Sequence, residues 1–174
     1  MNIGVLSDIH DNITNLRKAF SVFKKQKVEK VIFCGDLASA FTVGYFKELG
    51  LPVWTVWGNN EGDRLGVIRR IKKHQLDIQY APKAGLMWQL KLGNKKVVIF
   101  HGHQYEITNT LVNSGLFDVV LTGHTHCSHV KTAAKTLWLN SGSVCGWVDL
   151  DLKPVKSSVA VLNLTNLQAE IIEL

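Results

Sequence analysis

Proline is scarce, three residues in 174, and no proline-rich, glycine-serine or other low-complexity stretch is present to keep part of the chain disordered. No apolar run is long enough to cross a bilayer as a helix. Met1-Asn2-Ile3-Gly4 enters a strand pattern at once, without the basic flank and apolar core of a signal peptide. The cytoplasm is therefore the expected compartment, with no membrane partner. Cysteine is rare and odd in number: Cys34, Cys127 and Cys145 lack Cys-x-x-Cys spacing, which argues against a disulfide framework and against a thiolate zinc site. Buried or incidental thiols are expected. Internal repeats and linkers are absent too, and 174 residues suffice for one well-buried core, so a single domain over 1–174 is expected.

Acidic residues are the scarcer sign, 14 against 20 basic, which gives a net charge of +6. Such a surface attracts phosphate-bearing ligands, nucleic acid among them. The basic residues nevertheless come in small groups, at 24–27, 69–73 and 95–96, without interleaved aromatics. They read as solvated helix or turn faces rather than as a strand-binding groove. The five tryptophans read as core.

What the chain does contain is a repeated event. Val31-Ile32-Phe33-Cys34 is a short apolar run of the kind found in a strand covered on both faces, and it ends abruptly in Gly35-Asp36. Open α/β sheets bind ligands at that end of a strand, and Gly35 leaves room for close approach. Alone, Gly-Asp is ordinarily a turn. The same ending recurs: Ile3–Leu6 is followed by Asp8 and His10, Val53–Trp57 by Gly58-Asn59-Asn60-Glu61, Val97–Phe100 by His101-Gly102-His103, and Val119–Thr122 by Gly123-His124-Thr125-His126. Five strands thus deliver metal-type ligands. Asp8 and His10 lie two apart, as do His124 and His126, so each pair converges on a small volume only if its loop turns.

Between these runs, a helix follows Asn12 or Thr14 as cap, with Leu16, Ala19, Phe20 and Phe23 on one face. Further helices are expected over 40–48, 62–74 and 104–114, with Leu65, Ile68 and Ile71 of the second facing inward. The early strand–helix alternation predicts parallel strands. Residues 86–100 form a hairpin on Gly93-Asn94, short strands flank Trp138, and 158–164 pairs with 167–172 through Thr165-Asn166. Two packed sheets with helices outside is the expected α/β architecture.

Asp8-x-His10, Gly35-Asp36, Gly58-Asn59-x-Glu61, His101 and Gly123-His124-x-His126, in that order between residues 4 and 143, resemble the five-block signature of the calcineurin-like metallophosphoesterases. Gly-Asn-x-acid without a histidine, and His-Gly-His, resemble the small YfcE-like phosphodiesterases. The resemblance implies a four-layer αββα sandwich and two divalent cations about 4 Å apart, bridged by a carboxylate. Asp36 is the implied bridge, Asp8, His10 and His126 complete one site, and Asn59, His101 and His124 the other. Mixed oxygen and nitrogen donors favour Mn first, with Fe, Ni or Zn open, over Mg or Ca. The implied reaction is attack of a metal-bridging hydroxide on a small or exposed phosphodiester.

Two departures from the family pattern, at Asn60 and at residues 140–143, bear on that expectation. Protein phosphatases of the superfamily place a proton-donating histidine where this chain has Asn60. An amide cannot give up a proton, so either the leaving group departs unprotonated or another group such as His103 substitutes; a diester fits the first option. Glu61 is expected to fix Asn59 or Asn60. The usual Asn-Pro-Gly-Ser is Asn140-Ser141-Gly142-Ser143 here, which removes no ligand, and Asn12 is either a phosphate neighbour or simply a helix cap. His74, His129 and Cys127 match no block and read as ordinary. Competing readings are a protein-interaction scaffold like the retromer subunit of this fold, and a nuclease; a homo-oligomer stays open.

Overall fold

The computed structural model describes residues 1–82, 85–148 and 153–174. In chain order the first part reads β1 (Asn2–Leu6), α1 (Ile13–Lys25), β2 (Lys30–Phe33), a 3₁₀ helix (Thr42–Glu48), β3 (Val53–Thr55), α2 (Arg64–Lys73) and β4 (Ile78–Tyr80). Then follow β5 (Met87–Leu92), β6 (Lys95–Phe100), α3 (Tyr105–Asn113), β7 (Val119–Thr122), β8 (His129–Ala133) and β9 (Thr136–Asn140). A short ribbon of β10 (Trp147–Val148) and β11 (Lys153–Pro154) precedes the closing hairpin of β12 (Ser158–Asn163) and β13 (Gln168–Glu173).

Both large sheets are mixed. β1 to β4 run parallel because helical crossovers return the chain to the same sheet edge, and the last hairpin adds antiparallel beside β1, giving the order β13-β12-β1-β2-β3-β4. The second sheet is ordered β5-β6-β7-β9-β8, with β6, β7 and β9 parallel. Strand alternation sorts the side chains into layers. Ile3, Val5, Ile32, Cys34, Val97, Ile99, Val119 and Leu121 fill the space between the sheets. Val31 and Phe33 turn instead to Leu16, Phe20 and Phe23 of α1, while Val98 and Val120 meet Val112 of α3. The result is the expected four-layer αββα sandwich. Truncating a side chain as buried as Phe23 costs about 3–5 kcal/mol.

Three local expectations are corrected. Leu65 does not face inward but is 71% exposed; Val67 and Ile71, four residues apart, carry the buried stripe of α2 with Ile68 beside them. Leu65, Ile68 and Ile71 are spaced by three, which rotates steadily off a 3.6-residue face, so they cannot share one stripe. The segment around 40–48 is a 3₁₀ helix, and β4, only three residues with no fully buried position, was not foreseen.

Candidate metal centre

The strand ends converge because the chain turns left-handed just past them. Asp8, His10, Asp36, His124 and His126 have φ of 54°, 41°, 64°, 67° and 57°. For residues with a Cβ this costs on the order of 1–3 kcal/mol each and persists only where neighbours over-determine it. They do: Asp8 N–H donates to Gly35 O at 3.0 Å, Ile9 N–H to Asp36 O at 2.9 Å, and Gly123 N–H to His101 O at 2.8 Å. His124 N–H donates to Asp8 Oδ2 at 2.9 Å and so ties the loops of the two sheets together. Gly35, at φ +98°, and Gly58 cross closely enough that only glycine fits: a Cβ on Gly35 would lie 2.7 Å from Gly58 N, and one on Gly58 2.0 Å from Asp36 Oδ1.

All seven side chains singled out in the sequence meet at this edge. Asp36 Oδ2 lies 3.5 Å from His10 Nε2 and 3.4 Å from His101 Nε2. Asp8 Oδ1 lies 3.3 Å from His126 Nε2 and 3.9 Å from His10 Nε2. Asn59 Oδ1 is 2.9 Å from His101 Nε2, and the His124 ring stands edge-on to that of His101 with centroids 5.2 Å apart. His103 stands beside His101 and His124, at 5.7 Å and 6.3 Å between centroids. A cleft of about 930 Å³ opens over the group, lined in part by His10, Asn59, Asn60, His126 and Trp147.

The protonation pattern fits cation binding. His101 Nδ1 donates to Cys34 O at 2.8 Å and His126 Nδ1 to Trp147 O, so on each ring Nε2 is the nitrogen left to act as a ligand. Asp8 Oδ1 and His10 Nε2 are buried and make no hydrogen bond among the described residues, only longer contacts within the histidine–carboxylate group, which is rare for polar atoms and suits cation ligands. Two carboxylates, one amide oxygen and four imidazoles form a donor set for mid-series divalent metals.

Charge reinforces this. Burial works to raise the pKa of Asp8, which is 0% exposed, but His10, His126 and His101 outweigh it and hold the carboxyl far below the usual range. Burial also opposes ionisation of Asp36, and His101 with the Asn60 N–H overcomes it. His126 loses basicity to burial but gains more from Asp8, Cys145 and the Trp147 carbonyl, and its pKa rises to about 11. His124 and His103 move the other way, lowered by burial and by the neighbouring histidines.

Asn60 clamps the central carboxylate, its N–H donating to Asp36 Oδ1 at 2.7 Å and its Nδ2 to Oδ2 at 3.4 Å. Glu61 does not fix Asn59 or Asn60. Its carboxylate accepts from the backbone N–H groups of Asp36, Leu37 and Gly58, locking the β2 and β3 loops together, and burial raises its pKa. Asn12 caps α1 by accepting from Asn15 N–H at 3.1 Å and also lines the cleft. Without the proline, the turn at 140–143 is held by Asn140 Oδ1 on Gly142 N–H and by Ser158 Oγ on Ser141 O. His74 and His129 stay away from the cleft.

Two residues at the site escaped the sequence reading. Cys145 Sγ lies 3.8 Å from His126 Nδ1, and Trp147, read as core, is 50% exposed on the cleft. Only their position just after the last block hints at this. Val144 N–H bonds to Ser7 O and Cys145 N–H to Asp8 O, which draws that segment under the first ligand loop.

The calcineurin-like phosphoesterase superfamily domain matches residues 1–167. A phosphodiesterase of Methanocaldococcus jannaschii is 34% identical over 148 residues, covering 85% of this chain and 87% of that protein. A solved archaeal phosphodiesterase superposes with a TM-score of 0.87 at 30% identity, over all of both chains. At 18% identity the fold alone is shared with the phosphoesterase YfcE of E. coli, over 99% of this chain and 98% of that one, and with Vps29 of Entamoeba histolytica, over 100% and 99%; the TM-score is 0.67 for each. With this match over most of its length and the strand-end loops converging at one edge, the chain belongs to the calcineurin-like phosphoesterases, a family of hydrolytic enzymes.

Proposed function

We propose that this single domain over 1–174 is a phosphodiesterase that works with two divalent cations on small or exposed phosphodiesters. Asp8, His10, Asp36 and His126 would hold one cation, and Asp36, Asn59, His101 and His124 the other. The observation that carries this is the placement of Asp36 Oδ2 between His10 Nε2 and His101 Nε2, with Asp8 Oδ1 and His10 Nε2 making no hydrogen bond among the described residues. Mn is the first choice, and Fe, Ni and Zn share the same donor preference. When bound, such a pair activates the attacking water and neutralises charge developing on phosphorus.

The protein's own groups do the rest. Cys34 O and Trp147 O fix the tautomers of His101 and His126, and Asn60 holds Asp36 against rotation. Asn60 has no proton to give, so the leaving oxygen is served by a stable leaving group or by His103, whose Nδ1 has no protein partner. That favours diesters over protein phosphomonoesters. A scaffold is the second reading, supported by the likeness to Vps29, but the intact ligand set favours hydrolysis. The enzyme is expected to act in the cytoplasm.

The test is a panel of phosphomonoesters, small diesters, single-stranded DNA and RNA under Mn, Fe, Ni and Zn, with Asp36→Asn and His101→Ala as controls. Diester turnover lost in both variants supports the proposal. Tight metal binding without hydrolysis supports the scaffold, cleavage of the single strands a nuclease, and preference for phosphoserine peptides overturns the role given to Asn60.

A further inference from the structure

The five tryptophans differ in one respect. Trp57 stacks on Tyr80 at 3.6 Å between centroids, Trp54 packs on Trp88 and under Lys30, and Trp138 meets His129 and bonds to Thr122. Among the described residues, Trp147 has no aromatic or cationic neighbour of this kind, and it leaves half its surface open on the cleft that the proposed ligands His10, Asn59 and His126 line. An indole so exposed forfeits much of the burial that normally stabilises tryptophan.

Its backbone is nonetheless fixed. Trp147 O accepts from His126 Nδ1, Trp147 N–H lies 3.4 Å from Cys145 Sγ, and β10 pairs with β11 through Trp147 and Pro154. One residue therefore both sets the tautomer of a proposed ligand and presents a flat apolar ring beside it. Asn12, Asn60 and Gly62 line the same cleft and offer polar or open surface, and apart from the imidazoles of His10 and His126 no second aromatic ring is among the described lining residues. A single indole on the cleft wall beside the proposed ligands His10 and His126 suits a substrate that carries one planar group near its phosphate, since every base has a π-face to stack.

We propose that Trp147 is a specificity-determining residue and that the preferred substrates are nucleoside phosphodiesters, with the base stacked on its indole. This rests on the phosphodiesterase reading and narrows its substrate class. A ribose hydroxyl leaves poorly without a proton, so such a substrate draws that proton from His103 rather than from Asn60.

Calorimetry on the Mn-loaded protein separates the two ideas by comparing AMP with ribose 5-phosphate, which shares the phosphate and sugar but lacks the base. Stacking predicts that AMP binds about ten-fold more tightly, that Trp147→Ala brings the ratio to about one, and that Trp147→Phe retains most of it. A ratio near one in the unmodified protein, no AMP binding, or equal weakening of both ligands in Trp147→Ala would overturn the proposal; the last outcome would mean that the indole acts only through His126. Retained AMP preference in a protein that hydrolyses no diester would instead sink the catalytic reading and leave the stacking site standing.

Discussion

The two proposed cation positions share Asp36 but are built from unlike materials. The first combines Asp36 with Asp8, a carboxylate wholly out of solvent, and with His10 and His126, whose basicity the carboxylates raise. The second adds only an exposed amide, Asn59, a buried His101, and His124, whose basicity is lowered. Two anionic ligands against one shared ligand predicts stepwise loading, with the first position filling at lower metal concentration. The physical lesson is that a pair of sites with the same number of ligands is graded by carboxylate count and burial.

The largest test of this contrast removes what the two positions share. Asp36→Asn is expected to lower kcat/KM for a diester on the order of 10³-fold, because several kcal/mol of charge stabilisation depend on both cations; steady-state kinetics at saturating Mn measures it. Retention of more than a tenth of the activity would refute the bridge.

The contrast itself is tested by Asp8→Asn against Asn59→Ala. Asp8→Asn is expected to weaken the tighter of two binding events, and Asn59→Ala only the looser one, each by about 10–100-fold in calorimetric titration. Weakening of the same event in both variants would erase the distinction.

A smaller effect is expected at Asn60, which clamps Asp36 and aligns with the proton-donating histidine of the superfamily's protein phosphatases. Asn60→His should raise phosphomonoester turnover about ten-fold relative to diester turnover if proton donation is what the chain lacks. An unchanged ratio would assign the diester preference to the cleft instead.

The smallest effect is protonic. In the metal-free protein the His126–Asp8 pair stabilises the fold. His126 is raised from 6.5, so its share is complete below that value and is lost as pH rises through about 11. Asp8 is depressed from 3.8, so its share is present above that value and is lost as pH falls through its lowered pKa. A cation takes His126 unprotonated, so binding near neutral pH should release at least one proton, with His10 adding to the count, and tighten as pH rises. Titrations in buffers of differing protonation enthalpy count that proton; finding none would remove His126 from the first position.

Much of the fold and most of the site were legible in the sequence. Val31-Ile32-Phe33-Cys34 and Val97–Phe100 are covered on both faces, and continuous apolar runs report that condition directly. The convergence of the candidate ligand residues was legible because each stands within a few residues of a strand end, and strand ends gather at one edge of a sheet. Glu61 was misread for a corresponding reason: its partners, the N–H groups of Asp36 and Leu37, lie in another loop, and no local pattern announces them.

By itself the sequence determined most strand positions, the early strand–helix alternation and the set of chemically competent side chains, since all are set by neighbours close along the chain. Only the tertiary structure decided that Leu65 lies outside, that Cys145 touches His126, that Glu61 fastens two loops, and that Trp147 stands open on the cleft. Exposure and contact of that kind depend on which distant segments pack alongside, and two tryptophans alike in sequence can end up on opposite sides of that outcome.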